Sequence, residues 1–424
     1  MLALYSFALL LVLVAGAPYW LLRMATSGKY REGLGERLGR VPRRLRTADR
    51  VIWVHAVSVG EVLAASRLIA ELGDQSACRV MVSTTTRTGQ RLARDRFGED
   101  RVFYFPLDFG FAVRAYLRAL RPRMVVLLET EFWPRMLVEC RRAGIPVSVV
   151  NARISDRSWP RYLRLRFFWR HLLNGFAVVL AQSETDAKRL KALGASSVCV
   201  GGNLKYDIRV AKPAAVTEVL SEWIAPGMSR GTSPGAKVVV CGSTLEGEEE
   251  LMVSAMPEDV VMVIAPRHPE RFEAVAEMLE RRSVRFVRRS RWMESPEPLN
   301  ARTVFLLDSI GELASVYSLA TVAVVGGGMF VPGGHNPLEP AQFGVPVMMG
   351  PHYENFRGIV EELRAADAVV LAEPAEFRDA LQSLLDDEAR ARAMGARGRA
   401  VCEREAGATA RAVEALTALL EVRV

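Results

Sequence analysis

No residue among the first 22 carries a charge, no Asp-x-Asp occurs anywhere in the chain, and the 5 cysteines and 5 histidines are scattered. Each absence removes a class of protein. Cys78, Cys140, Cys199, Cys241 and Cys402 are odd in number and free of C-x-x-C spacing, which indicates neither a disulfide framework nor a zinc site and fits a reducing compartment. The histidines also lack metal-ligand spacing. No glycine-rich turn ends in the Gly-Lys-Ser/Thr of a P-loop, so nucleotide hydrolysis is not supported. Without Asp-x-Asp the chain lacks a common means of holding a divalent metal on a diphosphate. A metal-free anion site, built from arginine and helix N-termini, is the simpler expectation.

What is present is a chain of 424 residues, 50% hydrophobic and 25% charged, too long for one ordinary core, so two domains are expected. The net charge of +8 is unevenly spread. Arg23, Lys29, Arg31, Arg37, Arg40, Arg43, Arg44, Arg46 and Arg50 follow directly on the uncharged segment 1–22. A basic run beside an apolar segment points to an anionic membrane surface before nucleic acid, although a solvated basic loop has the same composition. Segment 1–22 is long enough to cross a bilayer. Ala15-Gly16-Ala17 resembles a signal-peptide cleavage site, but no Lys or Arg precedes the apolar run and Pro18 follows the cut. An uncleaved anchor is therefore expected, and the positive charge on its C-terminal side places the rest of the chain in the cytoplasm.

Short apolar runs at 51–56, 80–83, 124–128, 147–151 and 178–182 alternate with helix-like stretches, as in βαβ units around a parallel sheet. Pro213, Pro226, Gly227, Gly231, Pro234 and Gly235 then break the pattern, making 208–236 the candidate linker. A second series follows at 238–241, 260–265, 303–307, 321–325, 345–349 and 368–371. Two doubly wound α/β domains result, and their chemistry is expected just beyond the carboxyl ends of the strands.

The segments after those ends carry the candidate residues. Ser58-x-x-Glu61 is a capping box, so Glu61 either caps a helix or serves as a general base beside Gly60. Glu129 and Glu131 follow the run 124–128, where they could bind hydroxyls, orient a base or pair with Arg135; which of them faces a ligand is not readable. Gly242-Ser243-Thr244 is a small-residue turn suited to an anion. Arg267, before His268, can meet a phosphate or pair with Glu270. Ser309, in Asp308-Ser309-Ile310-Gly311-Glu312-Leu313, is an N-cap or a ligand donor. The densest motif, 326–341, has 5 glycines with His335, Asn336 and Glu339, and reads as a ligand loop in which Asn336 caps a helix and Glu339 caps it too or binds ribose.

Taken together and in order, these segments resemble the 3-deoxy-D-manno-octulosonic acid (Kdo) transferases over nearly the whole chain. The resemblance is carried by Gly33-Leu34-Gly35-Glu36-Arg37-Leu38-Gly39, His55-Ala56-Val57-Ser58-Val59-Gly60-Glu61, Ser83-Thr84-Thr85-Thr86, Glu129-Thr130-Glu131-Phe132-Trp133-Pro134 and Val150-Asn151-Ala152-Arg153. It continues through Gln182-Ser183-Glu184, Gly202-Asn203-Leu204-Lys205-Tyr206-Asp207, Gly242-Ser243-Thr244, Ala265-Pro266-Arg267-His268 and 326–341. Phe132 stands where Leu is expected in many relatives, a conservative departure.

The resemblance implies a GT-B glycosyltransferase of two Rossmann-like domains facing a cleft, with an N-terminal transmembrane helix. It implies an inverting enzyme that moves Kdo from CMP-Kdo to a lipid A precursor at the inner membrane, needing no metal or other cofactor and no nucleic acid. Glu61 would be the base, with Glu129 and Glu131 in support. CMP-Kdo would be held by Lys205, Gly242, Ser243, Thr244, Arg267, His268, Ser309, Gly311, Glu312, Leu313, Gly334, His335, Asn336 and Glu339. Lys29, Arg31, Arg37 and Arg40 would meet the acceptor and the membrane. The implied domains are an anchor (1–22), a basic segment (23–50), an acceptor domain (51–207), a linker (208–236) and a donor domain with the C-terminal helices (237–424). A GT-B enzyme using a UDP-sugar, or a non-catalytic membrane adaptor, are the alternatives; donor competition and mutation of Glu61 separate them.

Overall fold

The computed structural model describes residues 2–27, 31–208, 213–224, 237–294, 296 and 299–421. It divides into two compact units, 1–208 with 406–424 and 209–405. Unit 1 holds a seven-stranded parallel sheet made of β1 (Val51–His55), β2 (Arg79–Thr84), β3 (Val102–Tyr104), β4 (Pro122–Leu128), β5 (Val147–Ala152), β6 (Val179–Ala181) and β7 (Val198–Val200). Their order across the sheet is β3-β2-β1-β4-β5-β6-β7. Unit 2 repeats the plan with β8 (Lys237–Thr244), β9 (Val260–Pro266), β10 (Phe286–Arg288), β11 (Val304–Leu306), β12 (Val322–Val325), β13 (Val347–Met349) and β14 (Val369–Leu371), in the order β10-β11-β9-β8-β12-β13-β14.

Both central strands are apolar on both faces because helices cover both faces. Val51 and Trp53 of β1 enter one core while Ile52 and Val54 enter the other. In β8, Val239 and Cys241 face one layer and Val238 and Val240 the opposite one. Strand order reverses between β1 and β4 in unit 1 and between β8 and β12 in unit 2. Those two switch points, at the carboxyl ends, are where such sheets receive ligands.

Two expected domain limits need correction. The stretch 208–236 is not simply a linker: Ala215–Ile224 is a helix whose Val216 and Leu220 are buried in unit 2, and its start is tied down by the Thr217 and Ser315 hydroxyls at 2.7 Å. Residues 209–212 and 225–236 of that stretch lie outside the described residues. The C-terminal helices also do not all belong to the second domain. The helix Ala408–Glu421 places Ala408, Ala412, Val413 and Leu416, one helical face, in the core of unit 1. Asp207 fixes its start by accepting from the Gly407 and Thr409 N–H groups at 2.6 and 2.5 Å. Within 237–424 the sequence pattern carries no sign of this return, since an amphipathic helix does not name the sheet it will cover.

Candidate active site

In unit 1, β1 ends at His55 and the helix Val59–Ser76 begins one short turn later. Ser58 caps that helix, accepting from the Glu61 N–H, while the Glu61 carboxylate accepts from the Val57 N–H at 2.8 Å and from the Ser58 hydroxyl at 3.1 Å. The capping box therefore exists. It coexists with an unusual titration: burial pushes the Glu61 carboxyl up to about 7, and the charges of Glu129 and Glu131 push the same way against the Val57 and Ser58 hydrogen bonds. A cap on an exposed helix start would not be surrounded by other carboxylates.

Those carboxylates arrive on the turn after β4, the strand across the switch point from β1. Glu129 sits at φ +52°, a left-handed conformation that costs a non-glycine residue roughly 1–2 kcal/mol and breaks the extended alternation. The charges of both Glu129 and Glu131 act on Glu61; that of Glu129 also acts on Lys205, and Glu131 also lies beside Trp133 and Tyr162. Burial and the charge of Glu129 raise the Glu131 pKa.

Lys205, expected among the donor-binding residues, belongs to unit 1 and stands with the base cluster. Burial, then the charge of Arg153, lower its pKa, and Glu129 and Glu61 act in the opposite direction. Its position depends on Asn151, which is 2% exposed and itself left-handed at φ +60°. The Asn151 carboxamide oxygen accepts from the Leu204 N–H at 3.1 Å, fixing the turn Leu204–Asp207. The Asn151 carbonyl accepts from Gln182 at 3.0 Å. A polar residue at the end of an otherwise apolar strand was the signal for this role. A cavity of about 320 Å³ lined by Leu137, Arg141, Pro146, Val147 and Ala177 opens at the opposite, amino-terminal end of β5 and holds none of these groups.

In unit 2 the expected donor residues divide into two groups. The first converges at the carboxyl ends of β9 and β12. Arg267 and His268 are exposed, and their charges, after burial, lower the pKa of His335 to about 4. Burial raises the Glu339 pKa against the Asn336 hydrogen bond and the Arg267 charge. Asn336 donates to Glu339 at 3.4 Å and accepts from the Leu338 N–H at 3.2 Å, holding the short helix Leu338–Ala341. Beside them, Ser309 donates to Glu312, which also accepts from Arg289 at 2.6 Å, and Gly311 at φ +90° has open space where a Cβ would stand.

The second group is tied into the packing of its own unit. A Cβ on Gly242 would come within 2.0 Å of the Tyr317 hydroxyl and 2.8 Å of Leu313, so this glycine makes room for side chains of its own domain. Thr244 is fully buried and donates to Glu249 at 2.9 Å. Gly334, at φ +73°, donates to the Gly327 carbonyl at 2.8 Å and closes the loop. Ser243, left-handed at φ +57°, turns the chain between them. The turn 242–244 is thus held in place by packing within its own unit, and the Arg267 N–H bonds the Thr244 carbonyl at 3.0 Å, which sets Arg267 next to it.

The basic collar also divides. Arg37 is half-buried, donates to the Thr85 carbonyl at 2.5 Å and lies over the Tyr104 ring at 4.4 Å, so it belongs to the fold of unit 1 rather than to a free surface. Arg44 is similarly committed, to Glu36 at 2.8 Å and the Glu99 carbonyl at 2.9 Å. Arg31 and Arg40 are exposed, and Lys29 lies outside the described residues. The apolar segment forms one helix, Leu2–Ser27, longer than the expected 1–22, with Leu4, Phe7, Leu11 and Val14 more than half exposed. It is long and apolar enough to cross a membrane. Near its start the Tyr5 hydroxyl meets the Asp108 carboxylate.

A family model described as 3-deoxy-D-manno-octulosonic-acid transferase (kdotransferase) matches residues 32–208. The 3-deoxy-D-manno-octulosonic acid transferase of Bordetella pertussis is 35% identical over 382 residues, 86% of each chain. The enzyme of the same name from Haemophilus influenzae is 30% identical over 421 residues, 94% of each chain. Among solved structures, MurG of Acinetobacter baumannii superposes with a TM-score of 0.54 at 16% identity, over 86% of this chain and 98% of its own. That last likeness shows the fold, GT-B. With sequence identity of this level sustained over almost the whole length, the chain belongs to the 3-deoxy-D-manno-octulosonic acid transferase family.

Proposed function

We propose that the chain is an inverting glycosyltransferase that moves Kdo from CMP-Kdo to the hydroxyl of a lipid A precursor in lipopolysaccharide assembly. The observation that supports this reading, beyond family membership, is the Glu61 carboxyl, held by Val57 and Ser58 at the end of β1 and raised to about 7 by burial and by the charges of Glu129 and Glu131 on the turn after β4. A carboxylate of that basicity can take the proton of an attacking hydroxyl near neutral pH. As the acceptor oxygen bonds to the anomeric carbon, its proton passes to Glu61. The bond from that carbon to the phosphate oxygen breaks, its electron pair leaving with CMP. One direct displacement inverts the anomeric centre and needs no covalent sugar-enzyme intermediate.

Arg267 meets the charge that develops on the departing phosphate, and Lys205, the cation beside Glu129, suits the carboxylate of an acidic sugar. Arginine at that position serves in place of a divalent cation. The helix Leu2–Ser27 and the exposed Arg31 and Arg40 attach the chain to an anionic inner membrane, with both units on the cytoplasmic side. The test is incubation of the purified full chain with freshly generated CMP-Kdo and a detergent-dispersed lipid A precursor, followed by mass spectrometry. The lipid should gain the mass of Kdo. A lipid of unchanged mass would defeat the reading.

A further inference from the structure

The carboxyl ends of β8 and β12 flank the switch point of the second sheet, the place where doubly wound domains present backbone N–H groups to the anionic part of a ligand. In this chain the place is filled from within. Glu248 is 1% exposed, and its carboxylate accepts from the successive N–H groups of Gly327 at 2.8 Å, Gly328 at 3.0 Å and Met329 at 3.0 Å, and from Leu245 across the turn at 2.9 Å. The loop is shaped to this one side chain. A Cβ on Gly326 would come within 2.7 Å of the Glu248 carboxylate, and a Cβ on Gly327, at φ +82°, within 2.3 Å of the His335 ring. The same glycines that wrap Glu248 therefore set the position of His335, beside Arg267.

Three consecutive N–H groups turned to one centre form a nest of the kind that elsewhere binds phosphate. Here all three are committed, and the group they hold is an acid. A phosphate placed next to Glu248 would find no free donor in the nest, and a like charge beside it.

We propose that Glu248 is a specificity-determining residue, a built-in anion that occupies the nest a second phosphate would need, so that the donor site takes a nucleoside monophosphate and rejects the corresponding diphosphate. The inference rests on the reading of the chain as a CMP-sugar transferase. Rejection is achieved by a resident repulsive group rather than by a weaker fit, which is how discrimination between chemically similar ligands is commonly built.

Titration calorimetry with CMP and CDP on the full chain tests it. The wild-type protein should bind CMP at least about tenfold more tightly than CDP, the direction set by like-charge juxtaposition. Glu248→Ala should raise CDP affinity relative to CMP, and orthophosphate should raise its unfolding temperature by more than it raises that of the wild type, because the Arg267 site is the same in both. Glu248→Gln keeps the side-chain volume and drops the charge, so it should relieve part of the CDP penalty even where the alanine variant fails to fold. A wild-type chain that binds CDP as tightly as CMP overturns the proposal without any variant, as does an unchanged CDP-to-CMP ratio in a folded Glu248 variant. A wild-type chain that binds neither nucleotide defeats the donor reading and this inference with it, an outcome distinct from equal binding of both.

Discussion

The Val57 N–H donates to Glu61 at 2.8 Å, closing a ring of backbone and side chain at the end of β1 in which the candidate base is also the helix cap. Two readings of the Ser58-x-x-Glu61 box, cap or base, thus describe one residue doing both, and a single variant separates their energetic weights. Glu61→Gln can still accept from Val57, so the fold should survive with a stability loss no larger than a lost cap, about 0.5–2 kcal/mol. Turnover should fall by about 10²- to 10⁴-fold, since an amide cannot take the acceptor's proton. Thermal unfolding, CMP binding and single-turnover rate measured on one preparation decide it. Near-normal turnover in a folded, CMP-binding Glu61→Gln protein sinks the base assignment.

The pH dependence follows from the same carboxyl. A base acts when deprotonated, so kcat/KM should rise with pH through a midpoint near 7 and then level off. Glu129→Gln removes a neighbouring negative charge and should move that midpoint to lower pH. For stability the sign is opposite. A carboxyl whose folded value lies above its ordinary 4.5 binds its proton more tightly folded than unfolded, so its contribution is present below 4.5 and is lost as pH rises through 7. A pH–rate midpoint that stays fixed when Glu129 is neutralised would show that the titrating group is not Glu61.

Arg267 has no side-chain partner holding it away from a ligand among the described residues, and its charge already reaches His335 and Glu339. A hydrogen bond between charged groups contributes about 1.5–3 kcal/mol, so Arg267→Ala should weaken CMP binding by roughly 10- to 100-fold and lower turnover with it. Wild-type activity should persist in EDTA. Unchanged CMP affinity in the variant would remove Arg267 from the site, and full metal dependence would remove the argument that arginine replaces a cation.

Much of this was legible in the sequence because parallel strands buried on both faces read as apolar runs, and the residues just after them are fixed at one edge of the sheet. The runs ending before Glu61, Glu129 and Arg267 all became strands. The strands β3, β7 and β10 did not stand out: all three are three-residue pieces at sheet edges, and β7 and β10 have side chains partly exposed. Which way Glu129 points was unreadable because a positive φ at a non-glycine residue leaves no trace in the residue types around it. The glycines of 326–334 were visible, but their partner was not. Glu248 lies 79 residues away from Gly327, and only the parallel pairing of β8 with β12 brings the acid onto the loop. Sequence spacing cannot reveal that a nest is already filled.

The membrane topology turns on the distance between Tyr5 and Asp108. A helix of 26 residues is about 39 Å long at about 1.5 Å per residue, enough for a bilayer core of about 30 Å. If the helix crosses with both units in the cytoplasm, its start lies at the periplasmic face and the Tyr5 contact with Asp108 is given up on insertion. What replaces that contact is burial in lipid of the exposed Leu4, Phe7, Leu11 and Val14, each contributing about 1.5–3 kcal/mol, more than one hydrogen bond returns. The proposed crossing is tested by labelling. In a Cys199→Ser background, Leu2→Cys should react with an impermeant maleimide added to spheroplasts, while Arg40→Cys should react only after permeabilisation. Neutralising Arg31 and Arg40 should weaken attachment to anionic vesicles, by on the order of 1 kcal/mol per charge at low salt. Arg37→Ala should instead lower the unfolding temperature, because Arg37 is bonded to Thr85 and stacked on Tyr104. Protection of Leu2→Cys in spheroplasts would mean that the helix lies along the cytoplasmic surface with Tyr5 still on Asp108, and the single crossing would be wrong.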